Sequence, residues 1–419
     1  MSEATSQPTT PTAERLSVRC CIAGGGPAGM MAAYLLARAG VEVLVLEKHA
    51  DFLRDFRGDT VHPSTMQALC EVGLLERFLE RPHVEVSQVV GQVGPDTLHL
   101  ADLSHLPTAA KFVALMPQWD FLDFLSGEAK RFAEFALRMS TEARELLEEG
   151  GEVVGLLAQS ATGPLEIRAD LVIVADGRDS RFRAKAGFPV EDIAAPIDVL
   201  WMRLPRHRDD RQAVLGRIGP GYVLVLIDRG DYYQSAFVVQ KGGYDAIRSE
   251  GLDAFRQRLA RADPLLADRT DALKSWDDVK LLTVTVDRLA QWSRPGLLAI
   301  GDAAHAMSPV GGVGINLAIQ DAVAAANLLA APLGRGRPTP QDLARVQHRR
   351  LGPVRAMQAV QVAVHRFVLS AALTSTRPFR APLPARMFNW FPILRRIPAH
   401  VIGMGFRMEH VRTPDVHAG

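Results

Sequence analysis

Six residues near the start of the chain, Gly24-Gly25-Gly26-Pro27-Ala28-Gly29, have the spacing that can cradle a pyrophosphate. Such a ligand needs backbone N–H donors at close range and no side chain in the way. In this reading Gly24 permits a tight strand-to-helix turn. Gly26 admits the phosphates to the backbone, and Gly29 lets the helix pack on the strand. Pro27 and Ala28 open the helix, whose N-terminus directs free N–H groups and a positive dipole end at the ligand. Alone the motif is weak, because a purely structural glycine turn looks the same. Its setting strengthens it. An apolar run, Val18 to Ala23, precedes it, and helix-forming residues, Pro27 to Ala39, follow. A second apolar strand, Val41 to Leu46, is closed by Glu47 and Lys48. An acidic residue at that distance can accept from both ribose hydroxyls of an adenosine cofactor.

Two further clusters have residue types suited to a bound cofactor. One is Ala175-Asp176-Gly177-Arg178-Asp179-Ser180, with Arg183 beyond it. The other is Gly301-Asp302-Ala303-Ala304-His305, continuing through Pro309, Gly312, Gly314, Ile315 and Asn316 to Asp321. With these three motifs in this order, the chain resembles the group A flavoprotein monooxygenases, whose prototype hydroxylates para-hydroxybenzoate. The resemblance runs from about Val18 to Leu373.

That resemblance implies roles. The cofactor is FAD, tightly and non-covalently bound, and NADPH or NADH is a transient electron donor. Asp302 accepts from a ribityl hydroxyl. Gly312 and Gly314 let the backbone turn under the isoalloxazine, and the helix starting at Ile315 and Asn316 points N–H groups at the flavin N1/O2 locus. The family often has Gln where Val313 stands, which leaves the backbone donors. Pro309 lies in the loop lining the reaction pocket, so Pro309, Gly312, Gly314 and Ile315 are the catalytic candidates. Asp176, with Gly177, serves both FAD and NAD(P)H, and Arg183 is its ion-pair partner. Arg57 reaches FAD after the second strand, its fork suited to a diphosphate, with Arg54 as competitor. Gln118, after Met116-Pro117, contacts the flavin. His305 and His62 read as supports of these loops more readily than as acid–base residues. Hydroxylation would proceed through a flavin C4a-hydroperoxide formed with O2.

These residues need a scaffold. At 419 residues, with 47% hydrophobic and 23% charged residues, the chain has the make-up of a globular protein of two or three domains. The expected class is α/β: a Rossmann-like FAD-binding domain of the glutathione-reductase type, interleaved with a mostly antiparallel β-sheet substrate domain, plus C-terminal helices. The FAD domain takes 17–85, 105–185 and 285–375. The substrate domain takes 86–104 and 186–284, and a helical segment takes 376–419. Residues 1–16 read as a disordered leader without a signal peptide's apolar core. Predicted helices are Pro63 to Val72, Trp119 to Phe135, Leu252 to Leu259, Pro264 to Ala272 and Ile315 to Leu329. Strands are expected at Arg144 to Ala158, Leu165 to Arg168, Leu171 to Ala175, Ala213 to Ile218, Tyr222 to Asp228, Tyr233 to Gln240 and Leu297 to Ile300. Met202, Arg217, Tyr222, Leu224 and Phe237 are pocket candidates that could equally be core.

A formal net charge of +1 gives no electrostatic reason to expect nucleic acid. Cys20 and Cys21 sit in an apolar run and Cys70 stands alone, so neither a disulfide nor a metal site is expected. A reduced, cytoplasmic setting follows. No stretch reads as a transmembrane segment. The apolar, basic C-terminal part reads either as a helical pair packed across the domains or as a peripheral membrane or oligomer surface. The expected partners are an aromatic small-molecule substrate and O2, in a monomer or homodimer. Rival readings are a flavin reductase or dehydrogenase, a halogenase, whose tryptophan motif does not fit the spacing here, and a non-enzymatic flavoprotein scaffold.

Overall fold

The computed structural model describes residues 14–53, 60–210 and 216–417. The nucleus is a strand–helix–strand unit: β1 (Glu14–Ala23), α1 (Pro27–Arg38) and β2 (Val43–Leu46). The helix α2 (Pro63–Glu71) follows, then α3 (Gln118–Ala129), β3 (Phe135–Arg138), β4 (Gly163–Val174) and β5 (Leu297–Ala299). In the sheet these strands lie in the order β5-β4-β1-β2-β3, all parallel. Cys20 to Ala23 and all of β2 are buried, because helices cover both faces of a parallel sheet.

Three sequence expectations change here. Leu165 to Arg168 and Leu171 to Ala175 are parts of one strand, β4, paired with β1 from Glu14 to Ala23. The polar interruption at Asp170 is answered by Arg19 of β1 at 2.8 Å. The helix expected to reach Phe135 stops at Ala129, since Phe135 to Arg138 pair with β2 and tertiary pairing overrides helix propensity. Strand β1 also starts at Glu14, inside the stretch expected to be a disordered leader; residues 1–13 lie outside the described residues.

The second layer is a seven-stranded sheet. Its order is Lys280–Thr283, Ile197–Pro205, Tyr232–Gln240, Tyr222–Asp228, Gly216–Gly219, Gln88–Val93 and Asp96–Asp102. One face packs under the helix Leu252–Ala262 and carries Leu200, Met202, Leu224 and Phe237. The other carries Val199, Val223, Ala236 and Val238, with Trp201 and Val225. Strand alternation is legible in sequence, but which parity turns inward is not. The five pocket candidates all fall on the helix-covered side: Met202, Leu224, Phe237 and Tyr222 join that core, and Arg217 pairs with Asp263 at 2.5 Å. Pro264 to Ala272, expected as a helix, forms two short 3₁₀ turns instead.

Helix α4 (Gly314–Arg335) packs against α1. Helix α5 (Pro340–Val364), not anticipated from sequence, opens with a capping box between Thr339 and Asp342 and runs into a π-turn at His365–Leu369. Two stretches, Val310–Arg335 and Pro340–Thr374, have the length and hydropathy of a membrane span by composition alone; 72% of the apolar window of the first and 33% of that of the second are buried inside the protein. Finally α6 (Leu383–Trp390) and α7 (Arg396–Gly403) lie against the edge strand Asp96–Asp102. Asn389 fastens them by accepting from the His99 N–H at 3.0 Å and donating to the Thr97 carbonyl at 2.6 Å.

Candidate active site

The three motifs meet at the carboxyl end of the parallel sheet, where β1, β4 and β5 stop. Ligands of open α/β sheets bind at such an edge. Gly24 has φ +112°, and a Cβ there would lie 2.4 Å from the Ala175 carbonyl oxygen. A Cβ on Gly29 would lie 2.0 Å from the Gly24 carbonyl oxygen, so the helix can approach only as glycine. Gly301, at φ +61°, abuts Ala28 of α1 and Ala318 of α4. Gly26 differs: a Cβ there would meet nothing within 4 Å. It caps α1 without any side-chain hydrogen bond, and Pro27 takes the first helical position. Glu47 is buried and accepts from the Gly25 N–H at 3.1 Å and the His49 N–H at 3.0 Å, which fixes its carboxylate beside the turn. Lys48 is exposed next to it.

Asp176, Arg178 and Asp302 form a polar cluster at the same junction. Burial raises the Asp176 carboxyl above the ordinary range. Its Oδ1 and the Nη1 of Arg178 are buried without hydrogen-bond partners among the described residues. Arg178 reaches Asp302 at 3.4 Å. Gly177 (φ +90°) turns the chain between them. Arg183 does not pair with Asp176 as the resemblance implied. It makes a bidentate pair with Asp287, both contacts 2.9 Å, and donates to the carbonyls of Asp302 and Ala303 at 2.7 Å each. It is buried, and it holds the Gly301-Asp302 turn in place. Arg178 was not singled out by sequence reasoning, although it directly follows the Asp176-Gly177 pair.

A loop from Ser308 to Val313 leads into α4. Gly311 and Gly312 have φ +79° and +64°. Val313 caps α4 with no side-chain bond, so the first N–H groups of this 22-residue helix are left for another acceptor. Gly314 and Ile315 begin it. Asn316 is buried, its Oδ1 accepting from Ser64 at 2.5 Å and Thr65 at 3.2 Å on α2. Pro309 is half-buried at the head of the loop, and Val310 packs on the inner face of the second sheet. The loop therefore bridges the two layers.

Side chains from distant elements support it. Thr60 donates to the Gly312 carbonyl at 2.9 Å. His62 stands between that carbonyl (Nε2, 3.0 Å) and the Ile402 carbonyl of α7 (Nδ1, 2.8 Å). Burial holds its pKa below the usual histidine value, against the two carbonyls, which favour the charged ring. Gln361 donates to the carbonyls of Ser308 and Val310, both at 2.9 Å, and His365 meets Ser308 Oγ at 2.7 Å. Gln361 and His365 lie some fifty residues beyond the loop, and no motif marked them. His305 is buried and bonded through Nε2 to Asp321 at 2.5 Å, in the role of a support. Gln118 begins α3, half-buried. Arg54 and Arg57 lie outside the described residues.

Residues 17–362 match the family described as FAD binding domain. The chain is 35% identical over 393 residues to 6-methylpretetramide 4-monooxygenase of Streptomyces rimosus, covering 92% of this chain and 93% of that one. It belongs to the FAD-dependent aromatic monooxygenase family. Among solved structures, anhydrotetracycline hydroxylase from Streptomyces rimosus superposes with a TM-score of 0.72 at 21% identity, covering 93% of this chain and 76% of the other. The flavin-dependent brominase Bmp2 superposes at 0.73 and 16%, covering 92% and 93%. At these identities the likeness is one of fold. As a family member the protein is a flavoprotein and a monooxygenase. The site fits FAD on its own evidence: Gly26 leaves room for a pyrophosphate, two helix N-termini lack side-chain caps, and Asp176 and Arg178 present unmatched polar atoms between them.

Proposed function

We propose that this enzyme hydroxylates an aromatic or polycyclic small molecule in natural-product metabolism, taking electrons from NADPH or NADH and one oxygen atom from O2. The observation that carries this reading is the near full-length match to 6-methylpretetramide 4-monooxygenase, whose name makes it a monooxygenase of 6-methylpretetramide. Bound FAD would supply hydride acceptance from the nicotinamide and activation of O2 at its C4a position. The chain's own residues do the rest. Gly24, Gly26, Pro27, Ala28 and Gly29 hold the pyrophosphate, with Glu47 and Lys48 at the adenosine end. Asp176, Gly177, Gly301 and Asp302 hold the ribityl chain and diphosphate, Arg183 orders their turn, and Gln118 and Arg57 complete the cofactor contacts. The N–H groups of Gly314, Ile315 and Asn316 stabilise negative charge on the reduced ring. Pro309 and Gly312 shape the surface on which the substrate lies. The inner sheet face, with Trp201, Val225 and Ala236, forms the opposite wall and excludes water.

The test uses purified FAD-loaded protein, NADPH or NADH, air and a panel of polycyclic phenols, naphthacenes and anthraquinones. The reading requires that one compound accelerate nicotinamide oxidation and gain one oxygen atom. Nicotinamide oxidation yielding only a reduced compound would replace it with a reductase; a halide-dependent product would replace it with a halogenase.

A further inference from the structure

The C-terminal surface has a charge and polarity unlike the rest of the chain. From Arg366 to Arg407 there are seven arginines and no aspartate, glutamate or lysine, in a chain of net charge +1. Among the described residues none of the seven forms an ion pair. The adjoining edge strand carries Asp96 and Asp102, which accept from the N–H groups of Ala381 and Ser104, both at 3.0 Å; Asp102 also lies 3.8 Å from His105 and feels the charge of Arg395. Arg386 lies over the Trp390 ring at 5.4 Å and Arg366 over Phe367 at 5.6 Å.

The same segment exposes large apolar side chains. Leu383, Met387 and Trp390 recur at helical spacing along α6 and are 64%, 40% and 55% exposed. Phe391 and Ile393 in the connecting turn, and Ile397 on α7, are 53%, 65% and 64% exposed. This is not the face that packs the helices down. That face uses Ala381 and Ala385 against Leu98, and Ala399 against Leu103 and Leu106. The hairpin thus has a second apolar face, rimmed with arginine, and such faces mark interaction sites.

We propose that the α6–α7 hairpin docks the enzyme on an anionic phospholipid surface. Trp390, Phe391, Ile393 and Ile397 would enter the boundary between headgroups and acyl chains, and the arginines would stay at the phosphates. Charge argues against a second copy as the occupant. A two-fold contact is self-complementary, so it would set one arginine-rich face on another. An anionic bilayer complements the charge and needs no shaped pocket for each aromatic.

The test is co-sedimentation of the FAD-loaded full chain with vesicles of phosphatidylcholine, alone or with about one third phosphatidylglycerol. Binding should require the anionic lipid and weaken as salt is raised. The triple variant Trp390→Ser/Phe391→Ser/Ile393→Ser should lower the partition coefficient at least about ten-fold. Arg377→Glu/Arg380→Glu/Arg396→Glu should lower it by on the order of a hundred-fold, at roughly five-fold per arginine. Both should keep the flavin spectrum and far-UV circular dichroism of the parent. Failure to pellet with anionic vesicles, equal binding to neutral ones, or undiminished binding by the folded variants overturns the proposal. So does a parent that is dimeric in solution while the apolar variant is monomeric, which would make this face a self-interface.

Discussion

The two glycine turns proposed to hold the flavin do the same job by different means. Gly24–Gly29 and Gly311–Gly314 each deliver a helix N-terminus with no side-chain cap. The first is held mainly by backbone, with the Glu47 carboxylate accepting from the Gly25 N–H at 3.1 Å. Gly24 donates to the Leu46 carbonyl at 2.9 Å, Ala175 donates to the Ala23 carbonyl at 2.8 Å, and the close approaches leave no space for a Cβ on Gly24 or Gly29. The second is held by side chains from elsewhere: Thr60, His62, Ser64, Gln361 and His365. A turn built from backbone fails as a unit. A turn hung from side chains can be loosened one bond at a time, which would suit a loop that also meets the substrate, as proposed above.

The largest expected effect lies beneath the second turn. Asp321 is fully buried and accepts from the Gly301 N–H at 3.1 Å, facing His305 and Arg350. Arg350→Ala would leave that carboxylate with His305 as its remaining partner and would also break the Arg350–Glu409 pair, costing roughly 3–5 kcal/mol in a denaturant melt. Burial opposes the Asp321 charge, but His305 and Arg350 together hold its pKa below the ordinary carboxylate value. The folded pKa is therefore depressed. The stability it contributes is present above the unfolded value of about 4 and lost as pH falls through the folded value. Arg350→Ala should flatten that acid limb. An unchanged acid limb would mean that His305, and not Arg350, sets the carboxylate's pKa.

Next come the glycines of the first turn, which test whether backbone closeness and ligand access are separable. Gly29→Ala should destabilise by roughly 1–3 kcal/mol or more and strip the flavin, because the new Cβ collides with the Gly24 carbonyl. Gly26→Ala has free space in the protein, so the fold should stay within about 0.5 kcal/mol of the parent while flavin retention falls. Full flavin retention by Gly26→Ala would show that the phosphates do not pass over that residue.

This contrast also accounts for what was legible in the sequence. The first turn, β1, β2 and Glu47 lie within some thirty residues, so their spacing is written along the chain. The Gly301 and Gly312 turns were legible as motifs, since positive φ demands glycine there. Their supports were not: Gln361 and His365 arrive on a helix whose apolar face has no sharp signal, and Arg183 chose Asp287 over Asp176. Which sheet face carries the five candidates stayed open in sequence, because alternation leaves parity undetermined until the helix Leu252–Ala262 covers one face and makes Met202, Leu224 and Phe237 core.

A smaller effect is expected at His62, which joins the Gly312 carbonyl to α7. His62→Phe keeps the bulk and removes the ring N–H shared between the two carbonyls, and should cost about 1–2 kcal/mol. Burial depresses its folded pKa below the ordinary 6.5. The unfolded chain therefore binds the proton first. Stability is undiminished above about pH 6.5 and declines as pH falls below it towards the folded value. The variant's melting temperature should be less sensitive to pH in that window than the parent's. Equal sensitivity would place the titrating group elsewhere.

The smallest effect is expected at Ser308→Ala, and it bears most directly on the idea of an adjustable turn. Ser308 Oγ meets His365 Nε2 at 2.7 Å where α5 becomes a π-turn, and the other ring nitrogen is buried without a partner among the described residues. The bond ties the loop to a helix that continues into the inner core of the second sheet through Leu369 and Ala372. Removing it should cost only about 1 kcal/mol, because Gln361 still holds the carbonyls of Ser308 and Val310. Flavin content should stay at the parent level, while kcat or KM for the accelerating substrate should change several-fold. If flavin is lost as readily as in Gly29→Ala, the second turn also fails as a unit and the contrast between the two turns collapses. If only the substrate parameters move, the side-chain-held turn is where this enzyme can be tuned without unmaking its cofactor site.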